Sequence, residues 1–226
     1  MRCFSSVHIG DCRRLEAMQD LFASQRREIE PLGDGLVLLP GFADTTALLE
    51  ALPDITATAP FRQQQTPGGK TIAVSMTNCG ALGWVSDRRG YRYQDTDPES
   101  GERWPPMPER WSTLAKHAAE LAGCPDYTPN VCLVNRYLPG QRLSSHQDLD
   151  ERDFSQPVVT VSSGLPATFL VHGATRGGRP RRLPLVDGDV LVMGGVSRRH
   201  FHAVDRIAPD PAGRVPHRIS LTFRAA

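Results

Sequence analysis

The second half of the chain is a succession of short apolar runs. VCLVNRY (131–137), PVVTVSSG (157–164), ATFLVHG (167–173), RRLPLV (181–186), DVLVMGG (189–195) and HRISLTFR (217–224) are rich in β-branched residues, with turn formers between them at fairly regular intervals. Such runs predict strands, and a series of them predicts a sandwich, barrel or jelly roll. The first half is mixed. GLVLLPGF (35–42) predicts a strand, and Asp44-Thr45-Thr46 supplies N-cap chemistry before ALLEALPDI, a helix that Pro53 limits. TPGGKTIAVSMTNCG (66–80) predicts a turn and then a strand. Residues 87–109 are rich in turn formers and poor in aliphatics, which predicts a long surface loop. WSTLAKHAAELAG (111–123) is the strongest helix pattern, with Leu114, Ala118 and Leu121 on one face and Gly123 as its stop. The expected fold class is α+β, mainly β: one domain with an α/β N-terminal portion laid against an all-β C-terminal portion.

Composition agrees with a globular reading. Hydrophobic residues make up 39% and charged residues 23% of 226, which excludes fibrous and wholly disordered chains. The length suits one domain and is short for two. No apolar run approaches the ~20 residues that span a bilayer, and MRCFSSVHIGDCRRLEAMQD lacks an apolar signal core. No membrane association and a cytoplasmic location are therefore expected. A net charge of +1 provides no global field for polyanions. Only Lys70 and Lys116 are lysines, an arginine bias that a GC-rich genome produces by itself. Cys3, Cys12, Cys79, Cys124 and Cys132 are odd in number and scattered, against both a disulfide framework and a structural zinc site.

The segment SSHQDLDE (144–151) carries the chemistry. If it is extended, His146 and Asp148 project to the same face, and RRHFHAVDR offers a distal histidine in His202. Two imidazoles and a carboxylate form the facial triad of non-haem Fe(II) oxygenases, which leaves positions open for a co-substrate and O2. Zinc accepts the same ligands, though more often at helical H-E-x-x-H spacing. A polar surface turn explains H-x-D equally well in isolation, and spacing alone leaves His200 as a competing third ligand. Arg218 and Arg224 face the same way if HRISLTFR is a strand; arginine binds a carboxylate bidentately. TRGGRPRR (175–182) with Arg198 and Arg199 forms a local basic patch suited to phosphate, or simply a solvated turn.

NRYLPGQRLSSHQDLDE, SMTNCGALGWVSDRRGYRY, ERWPPMPE, SSGLPATFLV and SLTFR together resemble the AlkB family of Fe(II)- and 2-oxoglutarate-dependent DNA dealkylation repair dioxygenases. The resemblance runs from about Met18 to Arg224. It implies a double-stranded β-helix (jelly roll) core with an N-terminal α/β nucleotide-recognition lid. It implies Fe(II), 2-oxoglutarate and O2, and oxidative demethylation of 1-methyladenine and 3-methylcytosine in DNA with release of formaldehyde, succinate and CO2. His146, Asp148 and His202 match the metal ligands and catalytic centre. Leu133, Asn135, Tyr137, Leu143, Arg218, Ser220 and Arg224 match the 2-oxoglutarate site. Thr66, Trp84, Tyr91, Arg92, Tyr93, Asp150 and Arg176 match the substrate site, where aromatic faces suit a flipped, cationic base. The implied partner is alkylated DNA, with RNA as an alternative, and the implied state is a monomer. A dioxygenase acting on tRNA or protein, and a non-catalytic nucleic-acid binder, are the rival readings.

Two positions depart from the family pattern. R-x-N-x-T-x-R reads R-x-S-x-T-x-R here, so Ser220 shortens the reach of an asparagine. Lys70 stands where an aromatic contact is expected and offers a point charge for phosphate instead. Residues 1–17 have no counterpart in the family and are expected to be a dispensable or disordered extension. A single dioxygenase domain is expected over 18–226, with the lid region over about 18–105 and the helix and jelly roll over about 106–226.

Overall fold

The computed structural model describes residues 29–226, so the expectation for residues 1–17 lies outside the described residues. The elements run β1 (Glu30–Gly33), β2 (Leu36–Leu39), α1 (Thr45–Leu49), α2 (Leu52–Thr58), β3 (Arg62–Gln65), β4 (Thr71–Gly80), β5 (Gly83–Asp87) and β6 (Gly90–Gln94). Then come α3 (Glu109–Leu121), β7 (Val131–Tyr137), β8 (Leu143–His146), β9 (Val158–Gly164), β10 (Ala167–Gly173), β11 (Arg181–Leu185) and β12 (Val190–Met193). A 3-10 turn (Gly195–Arg199), β13 (Phe201–Val204) and β14 (Arg218–Arg224) complete the chain. An eight-stranded sheet, β1-β2-β12-β9-β14-β7-β4-β3, faces a four-stranded sheet, β11-β10-β13-β8, while β5 and β6 form a separate hairpin. This is a mainly β fold with a jelly-roll core.

The eight-stranded sheet is covered on both sides, which is why its strands read as nearly continuous apolar runs. Alternation divides each strand between two cores. Val37, Leu39, Cys132, Val134, Val159, Val161, Ile219, Leu221 and Phe223 pack under the helices with Trp111, Ala115, Ala118 and Ala119. Leu36, Leu38, Leu133, Tyr137 and Leu191 pack between the sheets against Phe169, Val171, Leu183, Leu185 and Val204. Trp111 lies edge-on to Phe223 and donates its indole N–H to the Leu48 carbonyl at 2.8 Å, so α3 is pinned to α1 and β14 at once. The inter-sheet face of β7, β9 and β14 also carries Asn135, Thr160, Ser162, Arg218, Ser220, Thr222 and Arg224, all buried. Buried polar residues on a face that could have been apolar mark where this sandwich does something besides fold.

Several expectations need correction. Residues 87–109 are not one surface loop: RRGYRY turns back as β6 against β5, and Trp104 is buried, donating to the Gln94 carbonyl at 3.0 Å. Gly83 is what lets the Trp104 indole lie on this hairpin, because a Cβ there would overlap the ring. Pro53 does not merely shorten a helix; Asp44 caps α1 through the Ala47 amide, and Pro53 sits in the first turn of α2. The buried face of α3 is Trp111, Ala115, Ala118 and Ala119, whereas Leu121 is 39% exposed. Gly123 does end that helix, at φ 85°. The apolar pattern gave no warning of β3, β8 and β13, short strands of polar or mixed composition.

Candidate active site and metal centre

Two of those short strands build the centre. β8 and β13 pair antiparallel with His146 directly opposite His202, and Asp148 follows two residues after β8 ends. The imidazole centroids are 4.4 Å apart. One ligand atom from each of His146, Asp148 and His202 lies within 4.8 Å of the others, the single such group among the described residues. His146 Nε2 is 3.7 Å from Asp148 Oδ1, and His202 Nε2 is 3.9 Å from Asp148 Oδ2. Each Nδ1 faces a carbonyl, Ser144 at 2.9 Å and His200 at 3.1 Å. A carbonyl only accepts, so Nδ1 donates to it and Nε2 is the ring nitrogen on the Asp148 side.

Charge is set for cation binding. Burial, with His146 beside it, pulls the His202 imidazole down to about 4, so it is neutral near pH 7. Burial pushes the Asp148 carboxyl up, but Arg224, His202 and His146 outweigh it and hold the group well below the usual carboxylate range. Arg224 donates to Asp148 Oδ2 through Nη2 at 2.8 Å and Nε at 3.3 Å. Phe169 stacks on His202 with ring centroids 5.4 Å apart. His200, the competing ligand on spacing, offers its backbone carbonyl to His202 and lies outside the ligand group.

Beside this centre lies an anion-shaped deficit. Arg218 is 2% exposed on β14, opposite Tyr137 on β7 and Gly164 on β9. Its Nη2 donates to Ser162 Oγ at 2.8 Å, while Nε and Nη1 have no partner. Burial lowers its pKa. Asn135 Oδ1 is also buried and unpartnered, opposite Ser220. Burial pushes the Tyr137 hydroxyl up to about 12, leaving it a proton donor. Unmet buried donors are rare because each costs about 1–3 kcal/mol, and two on one guanidinium can pair with a carboxylate. Leu133 is buried in the inter-sheet core and Leu143 packs against it.

The hairpin brings an aromatic surface to the same region. Trp84 and Tyr91 stack at 5.7 Å with planes 13° apart, and Tyr91 is 48% exposed. The Trp84 indole N–H donates to Asp150 Oδ2 at 2.7 Å, and the Tyr93 hydroxyl donates to Glu151 Oε1 at 2.6 Å. Three other substrate candidates are placed differently. Arg92, between Tyr91 and Tyr93 on β6 and so on the other face of the hairpin, donates to both oxygens of Asp87 at 3.0 and 2.9 Å. Thr66 closes the β3–β4 turn, its hydroxyl accepting from the Lys70 amide at 3.1 Å. Arg176 is exposed, over the Phe201 ring at 5.3 Å. The basic patch also loses a member: Arg198 is buried against Glu151 at 2.8 Å, with each side chain 2% exposed. Sequence reasoning gave Glu151 no role; the one available signal was a carboxylate immediately after Asp150 in H-x-D-x-D-E.

Comparison with known proteins shows the family of the chain. Residues 35–224 match the family model described as the 2OG-Fe(II) oxygenase superfamily. The chain is 46% identical over 215 residues to the alpha-ketoglutarate-dependent dioxygenase AlkB of Escherichia coli (strain K12), covering 92% of this chain and 98% of that protein. It is 42% identical over 201 residues to the alpha-ketoglutarate-dependent dioxygenase AlkB homolog of Caulobacter vibrioides (strain NA1000 / CB15N), covering 85% and 88%. The solved structure of OsALKBH1 matches with a TM-score of 0.78 at 30% identity, covering 88% of this chain and all 100% of that one.

Proposed function

The chain belongs to the AlkB family within the 2OG-Fe(II) oxygenase superfamily, and from that premise we propose that it repairs DNA by demethylating 1-methyladenine and 3-methylcytosine. It is an Fe(II)- and 2-oxoglutarate-dependent dioxygenase with alkylated nucleic acid as its substrate class. The observation that carries the reading is the pairing of a two-imidazole, one-carboxylate ligand set with a buried arginine that lacks an anion. The donor set and the orphaned Arg218 nitrogens both fit the groups the family uses.

His146, Asp148 and His202 would hold Fe(II). When bound with 2-oxoglutarate and O2, the metal supplies the oxidation of the N-methyl carbon, with succinate, CO2 and formaldehyde as products. The protein's own part is placement and charge. Arg218 would neutralise one carboxylate of 2-oxoglutarate through Nε and Nη1, with the Tyr137 hydroxyl, Asn135 and Ser220 alongside. Arg224 keeps Asp148 ionised and stands toward the other end of the co-substrate. Trp84 and Tyr91 would receive the extruded base and compensate its lost stacking. Asp150 would face the positive charge of the methylated ring.

We read the protein as a monomer. Among the described residues no helix is long and apolar enough to cross a membrane. Cys79, Cys124 and Cys132 are free thiols, in keeping with a cytoplasmic enzyme. We read 18–226 as a single dioxygenase domain in which the region before α3 contributes the lid. The test is succinate release with Fe(II) and 2-oxoglutarate on three oligonucleotides: methylated DNA, methylated RNA and unmethylated DNA. Release stimulated most by methylated DNA is expected; release indifferent to methylation would overturn the proposal, and a preference for RNA would reassign the substrate.

A further inference from the structure

Glu151 is a buried carboxylate to which the roles above assign nothing. Three donors from three elements converge on it. Arg198 of the 3-10 turn donates to Oε2 at 2.8 Å, Arg224 Nε of β14 lies 3.1 Å from Oε1, and the Tyr93 hydroxyl of β6 donates to Oε1 at 2.6 Å. The same two arginines hold the metal-ligand loop. Arg224 Nη2 donates to Asp148 Oδ2, and Arg198 Nη1 donates to the Asp148 carbonyl, both at 2.8 Å. Two guanidinium groups and two carboxylates thus form a closed, charge-balanced cluster in the interior, where an uncompensated charge is costly.

Among the described residues, the hairpin reaches this cluster through one part-buried hydrogen bond. Its other anchors run to β3 and β4: Gln64 and Asn78 donate to the Trp84 carbonyl at 3.3 and 3.1 Å, and Ser86 Oγ donates to the Gln65 carbonyl at 2.6 Å. The Trp84–Asp150 hydrogen bond also touches the ligand loop but is exposed. Among the described residues, the Tyr93–Glu151 bond is the one hydrogen bond that joins the lid to the interior charges, and Tyr93 stands opposite Trp84 in the hairpin register. Arg224 donates to Asp148 through Nη2 and Nε while its Nε also forms the 3.1 Å ion pair with Glu151, so one guanidinium bridges the two carboxylates. Any occupant of the metal and co-substrate site that draws on Arg224 or Asp148 therefore alters the hold on Glu151, and through it the hold on Tyr93.

We propose that Glu151 is a positioning residue that couples the Trp84–Tyr91 lid to the Asp148–Arg224 pair, so that filling the metal and co-substrate site tightens base binding. The proposal rests on the functional reading above for the identity of the two ligands. Linkage makes the effect reciprocal: bound oligonucleotide tightens 2-oxoglutarate by the same factor.

The test compares wild-type protein, Tyr93→Phe and Glu151→Gln, with Mn(II) as a redox-inert metal. The affinity of a short single-stranded oligodeoxynucleotide carrying one 1-methyladenine is measured with and without Mn(II) and 2-oxoglutarate. Wild-type protein should show a ratio of about fivefold or more, the lower edge of ordinary coupling, and both variants should fall below about twofold. Tyr93→Phe should keep wild-type 2-oxoglutarate affinity without oligonucleotide, and amide exchange over residues 83–94 should rise about tenfold on losing one hydrogen bond. Tyr93→Phe leaves the buried charges intact, so it reports even if Glu151→Gln does not fold. A wild-type ratio near one, or a ratio retained in Tyr93→Phe while only melting temperature falls, overturns the proposal by reducing Glu151 to scaffolding. Wild-type protein that takes up neither Mn(II) nor 2-oxoglutarate overturns the functional reading and this inference together.

Discussion

Arg218 should trade stability for binding, and Arg218→Met separates the two. In the ligand-free protein this guanidinium is buried with one neutral hydrogen bond, to Ser162, and two nitrogens without partners. Methionine has a similar volume and no charge. Removing a buried, under-satisfied cation and losing one hydrogen bond should leave a net gain of about 1–2 kcal/mol. For a domain of this size that raises the melting temperature by about 2–8 °C. With co-substrate the sign reverses. Wild-type protein at a hundredfold excess of 2-oxoglutarate over its Kd gains about 2.7 kcal/mol. The variant should lose about 2–5 kcal/mol of affinity for a paired, buried carboxylate and gain almost nothing at the same concentration. Thermal unfolding in Mn(II), with and without 2-oxoglutarate, should therefore give crossing orders: variant above wild type without co-substrate, below it with co-substrate. A variant that is less stable alone yet still stabilised by 2-oxoglutarate would refute the reasoning.

Other consequences are simpler to state. His202→Ala should weaken Mn(II) binding more than tenfold in equilibrium dialysis, whereas His200→Ala should leave it unchanged because His200 contributes only its carbonyl; the reverse pattern would misplace the third ligand. Trp84→Ala removes the stacked pair with Tyr91 and should weaken methylated oligonucleotide binding about 5- to 150-fold, from about 1–3 kcal/mol per stacked base, with 2-oxoglutarate affinity unchanged. Gly83→Ala forces a Cβ into the Trp104 ring. It should cost about 1–3 kcal/mol and loosen the hairpin; an unchanged melting temperature and unchanged oligonucleotide affinity would show that the indole has room to move.

How much of this was legible in the sequence follows from where each feature is encoded. β7, β9 and β14 could be read because strands covered on both faces are written as long apolar runs, and their bounds fall within a residue of the patterns. The ligand set could be read from family motifs in SSHQDLDE and RRHFHAVDR. The strands that bring those ligands together could not: LSSH is short and polar, and FHAV is too short to show a period. The opposition of His146 and His202 arises from cross-strand register, which hydrophobic pattern does not encode. RRGYRY was hidden as loop because arginine and glycine mask a hairpin whose one face lies over a charged cluster. Arg198 and Glu151 were missed for a related reason. A buried ion pair looks like two surface residues until the fold closes over both.

The most direct measurement of the central claim is mass spectrometry of a single-stranded oligodeoxynucleotide carrying one 1-methyladenine, after incubation with the protein, Fe(II), 2-oxoglutarate and O2. Loss of one methylene's mass from the oligonucleotide, with one formaldehyde and one succinate per base repaired, is the expected result. The reaction should vanish in Asp148→Asn, which keeps the side chain's shape but removes the charge between the two imidazoles. An unaltered oligonucleotide, or demethylation that persists without 2-oxoglutarate or in Asp148→Asn, would contradict the assignment of this site.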